Sequence, residues 1–207
     1  MKNIQGWINL YKPKNISSFK AINQVKKKFS IRKLGHAGTL DPLAEGVLPV
    51  AVGKATKLIS FINNEFKTYN FEITWGTQTS TDDSEGKIIF RSSKLPKLID
   101  INEKINKFLG NFNQVPPNIS AVKIKGNRAY KLTRENKSFN IEPKNVFVKK
   151  LEVIKHEKIK THFKIECGKG FYVRSLARDL ARDLETFGHI SSLQREKVGK
   201  FNKDTSI

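Results

Sequence analysis

A single cysteine, Cys167, among 207 residues excludes an internal disulfide framework and makes the reducing cytoplasm the expected compartment. No apolar run reaches the length of a bilayer span, and no charged-then-apolar stretch opens the chain as a secretion signal, so no membrane association is expected. Four histidines (His36, His156, His162, His189) and the one cysteine fall in no metal-ligand spacing, which argues against a zinc site. The Gly-x4-Gly-Lys-Ser/Thr phosphate loop and the dinucleotide fingerprint are both missing, which argues against nucleotide hydrolysis and hydride transfer. No Gly-x-Ser-x-Gly elbow is present, although a Ser/His/Asp arrangement is not thereby excluded. Chemistry by side chains alone, with no metal and no cofactor, is the expectation. Acids are scarce as well: 19 Asp and Glu face 39 Lys and Arg, a net charge of +20. Compositional drift toward lysine does not account for so few acids. A field of this sign attracts polyanions, and nucleic acid is the commonest of these in a cytoplasm.

What is present describes a folded chain. Hydrophobic residues make up 38% and include 14 Phe, enough for a real core. No repeat or linker marks a boundary, so one domain over residues 1–207 is expected. Gly6 to Tyr11 reads as a strand stopped by Lys12-Pro13. Ser17 or Ser18 then caps a helix with Phe19, Ile22, Val25 and Phe29 on one face. Val47 to Val52 reads as a buried strand with an irregularity at Pro49, followed by a short helix from Thr56 to Ile62. Lys67 to Trp75 alternates Tyr69, Phe71, Ile73 and Trp75, a period-two strand. A polar loop, Thr77 to Gly86, leads to a strand from Lys87 to Arg91, and Asp100 caps a helix that closes at Gly110. The Val115-Pro116-Pro117 turn precedes a strand from Ala121 to Ile124 and a short helix from Tyr130 to Arg134. Strands at Val146 to Ile154 and His162 to Cys167, a helix at Val173 to Phe187 and an extended segment at Ser192 to Val198 complete the chain. This irregular order predicts an α+β fold, a mixed and largely antiparallel sheet flanked by helices, rather than a doubly wound one.

Three constellations carry chemistry. In Gly35-His36-Ala37-Gly38-Thr39-Leu40-Asp41-Pro42-Leu43-Ala44-Glu45-Gly46, glycines bracket one aspartate and Pro42 stiffens the chain behind it. Pro42 also biases Asp41 away from helical geometry, which suits a nucleophile or general base on a preorganised loop. The plainer alternative is an Asx-turn. In the stretch Gly168 to Leu180 and just beyond it, Arg174, Arg178 and Arg182 recur at helical spacing with Asp179 and Asp183. Arg178 and Arg182 read as a solvated ion-pair face. Arg174, in the first turn beside Tyr172, is placed to pair with a carboxylate such as Asp41, or with phosphate. Tyr69 is equally a core residue and a stacking surface for a splayed base.

Taken together, these stretches resemble the TruB family of tRNA pseudouridine-55 synthases. The resemblance begins at Leu10-Tyr11-Lys12-Pro13-Lys14-Asn15-Ile16-Ser17-Ser18 and is most specific over Gly35 to Pro49. It continues through Lys67-Thr68-Tyr69, Thr77 to Asp83, Val115-Pro116-Pro117, Ser120-Ala121-Val122-Lys123 and Gly170 to Arg174. It implies a pseudouridine-synthase-like fold and an isomerase converting uridine to pseudouridine in the tRNA T-loop, at position 55. The glycosidic C–N bond breaks, the uracil turns in its pocket, and a C–C bond forms through C5. The resemblance assigns catalysis to Asp41 as nucleophile, toward either ribose C1′ or the uracil ring, with Arg174 as its charge partner and Tyr69 stacked on the base. It assigns substrate binding to His36, Tyr69, Tyr172 and Leu193. It further implies a partner in the T-arm of tRNA, no protein partner, a monomer, and a short form without the C-terminal PUA domain. Asn15 stands where the family has Gly, and Phe171 where it often has Thr. A non-catalytic RNA-binding or RNA-folding module on the same fold and a guide-dependent rRNA synthase are the alternatives.

Overall fold

The computed structural model describes every residue except 1–3, 121, 125, 136 and 137. β1 (Gly6–Lys12) stops at Pro13, and α1 (Ser18–Lys28) starts at an N-cap, Ser17, whose hydroxyl accepts the Lys20 N–H at 3.1 Å. The buried side of α1 is the narrow stripe Ser18, Ala21 and Ile22, with Val25 half-buried. Phe19 and Phe29, expected on one helix face with Ile22 and Val25, are 69% and 53% exposed. Phe19 lies one position off that stripe, and Phe29 is the C-cap rather than a helical residue.

β2 (Leu34–His36) and β3 (Glu45–Val52) bracket an irregular loop, followed by a 3-10 turn (Gly53–Leu58) and α2 (Ile59–Asn64). Pro49 does not interrupt β3: it pairs with Asn9, and its carbonyl accepts the Ala37 N–H. β4 (Lys67–Trp75) has the expected bounds, with Phe71, Ile73 and Trp75 buried and Tyr69 half-buried. β5 (Thr77–Thr79) and β6 (Ile88–Arg91) flank the polar loop. α3 (Leu98–Lys104) places Asp100 in its first turn rather than at its cap, where a carboxylate favours the positive end of the helix dipole. A 3-10 turn (Ile105–Phe108), β7 (Gly110–Gln114), β8 (Lys123–Ile124), β9 (Asn127–Arg128) and α4 (Ala129–Arg134) follow. The strand expected from Ala121 has its first residue outside the described ones. β10 (Lys144–Glu157), β11 (Lys160–Cys167), α5 (Val173–Asp183), β12 (Gly188–Val198) and β13 (Phe201–Asn202) complete the chain.

These elements form two compact units, Met1–Asn70 with Ser192–Ile207, and Phe71–Ser191. In the first, β3 pairs antiparallel with β1 from Gly6↔Val52 to Lys12↔Gly46, and antiparallel with β2. It pairs parallel with β12 through Gln194↔Glu45 and Arg195↔Gly46, and β13 pairs antiparallel with β12. Val47, Leu48, Val50 and Ala51 of β3 are fully buried, as their continuous apolar run requires. In the second unit β10 pairs antiparallel with both β7 and β11, and β4 lies beside β11. α5 buries Leu176, Ala177, Leu180 and Ala181 along one stripe. The fold is α+β, with mixed and largely antiparallel strands.

Candidate active site

In the first unit, Asp41 sits half-buried in the loop between β2 and β3. A loop of this kind has no ladder to satisfy its peptide groups, so side chains must do it. Ser18 takes both polar groups of Leu40: its Oγ accepts the Leu40 N–H and donates to the Leu40 carbonyl, each at 2.9 Å. On the other side of Asp41, the Pro42 carbonyl accepts the Asn15 N–H at 2.8 Å and the Lys12 ammonium at 3.4 Å. Lys12 is fully buried and also donates to the carbonyls of Pro13 and Ile16, which shapes the turn that carries Asn15. Asn15 has φ +65°, so the position for which the family resemblance gives Gly is left-handed, and Asn tolerates it.

Arg195 closes the rest of the loop. It is 1% exposed and donates from Nε to the Val47 carbonyl at 2.7 Å and from Nη2 to the Gly38 carbonyl at 2.9 Å. Among the described residues no carboxylate lies within ion-pair distance of it, so its charge is held by carbonyl dipoles. Gly46 allows this approach: at φ +112° it lies so close that a Cβ there would stand 2.2 Å from the Arg195 carbonyl oxygen. The glycines of the loop are thus required partly for space, as the sequence reading expected for conformation.

His36 ends β2, half-buried, and its Nδ1 is buried without a hydrogen-bond partner among the described residues. Burial, helped by the Arg195 charge, holds its pKa below the ordinary imidazole value. That shift favours the neutral ring. Tyr69 is half-buried on β4, and Leu193 is buried on β12 beside Gln194, which donates to the Tyr11 hydroxyl. Lys67 spends its ammonium on the carbonyls of Asn63 and Glu65 at the end of α2.

Arg174 and Tyr172 belong to the second unit. Arg174 is 5% exposed, with Nε 3.6 Å from the Asp83 carboxylate, Nη1 on the Thr81 carbonyl and Nη2 on the Ile119 carbonyl. Asp83 is itself held by the Thr81 hydroxyl and the Glu85 N–H. Tyr172 packs against Val122, Ala129 and Ile141, and Gln114 ties down both its N–H and its carbonyl. Arg178 corrects the sequence reading. Rather than facing solvent it donates to Asp179, Asp82 and the Val115 carbonyl with little exposure, whereas Arg182 is 75% exposed as expected. Burial pushes the Asp82 carboxyl up despite the Arg178 charge beside it.

Ser18, Lys12 and Arg195 are the positioning groups that the sequence reading missed. Ser18 read as one of two possible caps, Lys12 as part of the stop of a strand, and Arg195 only as a member of the extended segment Ser192 to Val198. Among the described residues no group of three or more His, Cys, Asp or Glu could hold a metal ion, and no helix is long and apolar enough to cross a membrane.

Residues 26–173 match the model of the TruB family pseudouridylate synthase (N terminal domain). A protein of Wolbachia pipientis subsp. Culex pipiens named tRNA pseudouridine synthase B is 49% identical over 206 residues, 99% of this chain and 58% of its own. One of the same name from Ehrlichia chaffeensis is 48% identical over 204 residues, 98% of this chain and 69% of its own. The chain thus spans less than two thirds of the first relative's length. Among solved structures, that of an H/ACA RNP bound to a substrate RNA containing 2′-deoxyuridine matches with a TM-score of 0.73 and 25% identity, over 98% of this chain and 50% of the other. Matches of this extent, over the residues that build the Asp41 loop and the Arg174 helix, show that the chain belongs to the TruB family of pseudouridylate synthases.

Proposed function

We propose that this chain is a tRNA pseudouridine synthase that isomerises the T-loop uridine at position 55, with Asp41 as nucleophile. The observation that carries the reading is the bracing of Asp41. Leu40 and Pro42 on either side of it are pinned by Ser18, Asn15 and Lys12, and Arg195 pins Gly38 and Val47. A nucleophile gains from being held in one geometry before substrate arrives. Asp41 attacks ribose C1′ or the uracil ring, the C1′–N1 bond breaks, the uracil turns, and C5 bonds to C1′ as N1 takes up a proton and the bond to Asp41 breaks, freeing its carboxylate. The C5 proton is then lost to solvent, so the overall change is an isomerisation. Arg174 stabilises the Asp41 carboxylate, Tyr69 stacks on the base, and His36, Tyr172 and Leu193 form the rest of the binding surface. The base must leave its stack to be reached, and phosphate contacts by the basic chain offset that cost. The enzyme acts on free tRNA in the cytoplasm as a monomer, with no cofactor.

The test is tritium release from tRNA labelled at uridine C5. Release by the purified chain that vanishes in Asp41→Asn is expected. No release from the wild type on free tRNA refutes the reading. The guide-dependent alternative, which the likeness to an RNP component favours, predicts release only when guide RNA and partner proteins are added.

A further inference from the structure

From Met1 to Leu40 the sequence contains no aspartate or glutamate; Asp41 is its first acid. The same stretch holds nine basic residues: Lys2, Lys12, Lys14, Lys20, Lys26, Lys27, Lys28, Arg32 and Lys33. Lys12 is buried in the turn beside the Asp41 loop, and Lys14 pairs with Glu45 at 3.5 Å. Six cations remain between Lys20 and Lys33, on α1 and the turn after it, and all six are exposed. Among the described residues none of the six has an acidic partner. Three of them, Lys26, Lys27 and Lys28, crowd the last turn of α1. One cation there complements the helix dipole, but three in sequence followed by two more repel one another and weaken the folded state. Lys20 and Lys27 are seven residues apart, two turns, so they share one side of the helix about 10 Å apart.

The same element exposes Phe19 and Phe29, and the Lys28 ammonium lies 5.7 Å from the Phe29 ring centroid. Exposed aromatic rings interleaved with unpaired cations are the chemistry that binds nucleic acid, with phosphate on the ammonium groups and a base or ribose on the ring. We propose that the outer face of α1 with its following turn, Phe19 to Lys33, is a docking surface for the sugar-phosphate backbone of the RNA substrate. This rests on the reading of the chain as a tRNA-modifying enzyme and names the element that grips the tRNA. It accounts for an arrangement that folding alone disfavours.

The experiment compares the wild type with the triple variant Lys26→Gln/Lys27→Gln/Lys28→Gln. A control of equal charge change is Lys150→Gln/Lys155→Gln/Lys158→Gln, drawn from exposed lysines of which two already pair with Glu152 and Glu157. Binding of an unmodified tRNA transcript is measured from 50 to 200 mM salt, beside binding to phosphatidylserine vesicles. The triple variant is expected to keep or raise its melting temperature. Its tRNA binding weakens about 10- to 100-fold at 100 mM salt, and its salt slope becomes shallower by about 2, at roughly 0.7 per lost phosphate contact. Phe19→Ala weakens binding about fivefold or more at unchanged slope. Equal losses in the control, an unchanged slope in the triple variant, or loss of vesicle binding with tRNA binding intact overturn the proposal. A wild type that makes pseudouridine but shows no difference in the triple variant sinks the surface and leaves the enzyme. A wild type that binds tRNA with the expected dependence but makes no pseudouridine sinks the enzyme and leaves the surface. No tRNA binding at all removes both.

Discussion

Replacing Ser18 with alanine removes one oxygen and leaves two backbone groups without partners. The Ser18 hydroxyl is bonded to the N–H and the carbonyl of Leu40, and Ser18 and Leu40 are 2% and 4% exposed. A buried backbone group left unsatisfied costs about 1–3 kcal/mol, so the pair costs about 2–6 kcal/mol. Against a typical stability of about 5–15 kcal/mol, the lower half of that range leaves a folded protein to assay. The Leu40 peptide adjoins Asp41, and a misplacement of about 1 Å in a reacting group costs about a hundredfold in rate. Ser18→Ala is therefore expected to lose about 2–4 kcal/mol in urea unfolding and 10- to 100-fold in kcat, with tRNA affinity changed less than about threefold.

Ser17→Ala supplies the internal control. Its hydroxyl caps α1 through the Lys20 N–H and, among the described residues, makes no hydrogen bond to the Asp41 loop, so its loss costs about 0.5–2 kcal/mol of stability only. Neighbouring serines, mutated alike, should thus separate stability from turnover. Equal kcat in the two variants, or a Ser18→Ala protein with less than about 1 kcal/mol of destabilisation, refutes the bracing of Asp41 through Leu40.

Gly46→Ala places a Cβ 2.2 Å from the Arg195 carbonyl oxygen at φ +112°, where both atoms in conflict are backbone or fixed to it. It should cost more than about 4 kcal/mol and be seen as a large drop in urea midpoint or as insoluble protein. The depressed pKa of His36, due first to burial and then to Arg195, has a pH signature. Above an unfolded value of about 6.5 both states are neutral; below it the unfolded chain takes the proton first, so stability falls on acidification until the folded pKa is passed. Stability of the wild type should fall more than that of His36→Phe between about pH 7 and 5. In Arg195→Met, NMR titration should find the His36 pKa partly restored, since burial, the larger cause, remains.

The extent to which this molecule was legible follows from the range of each signal. β4 was readable to the residue because alternation along Lys67 to Trp75 is a property of adjacent positions. The Asp41 loop was readable because glycine and proline act on their own backbone. Ser17 and Ser18 are the same residue type side by side, and nothing local separates a cap from a clamp. Their difference is Leu40, 22 positions away from Ser18. Arg195 reaches Gly38 across 157 positions, and Arg178 reaches Asp82 across 96, so neither partner is visible from the cation's own neighbourhood. Phe19 failed for another reason: apolar residues are common on surfaces, and helical spacing does not say which of two adjacent stripes faces inward.

The missed residues nonetheless share a cause. An irregular loop that must stay fixed around a carboxylate cannot satisfy its own peptide groups, so it recruits buried polar side chains from the elements packed beneath it. Among the described residues, the first unit buries four polar or charged side chains: Lys12, Ser18, Lys67 and Arg195. Lys67 ties off the end of α2, and the other three all bond to the stretch from Gly38 to Val47. A buried cation without a carboxylate costs several kcal/mol to desolvate, and carbonyl dipoles return only part of that. That Arg195 is kept in this state under the loop is the strongest physical sign that the geometry around Asp41 is worth more to the protein than the stability an apolar side chain would give.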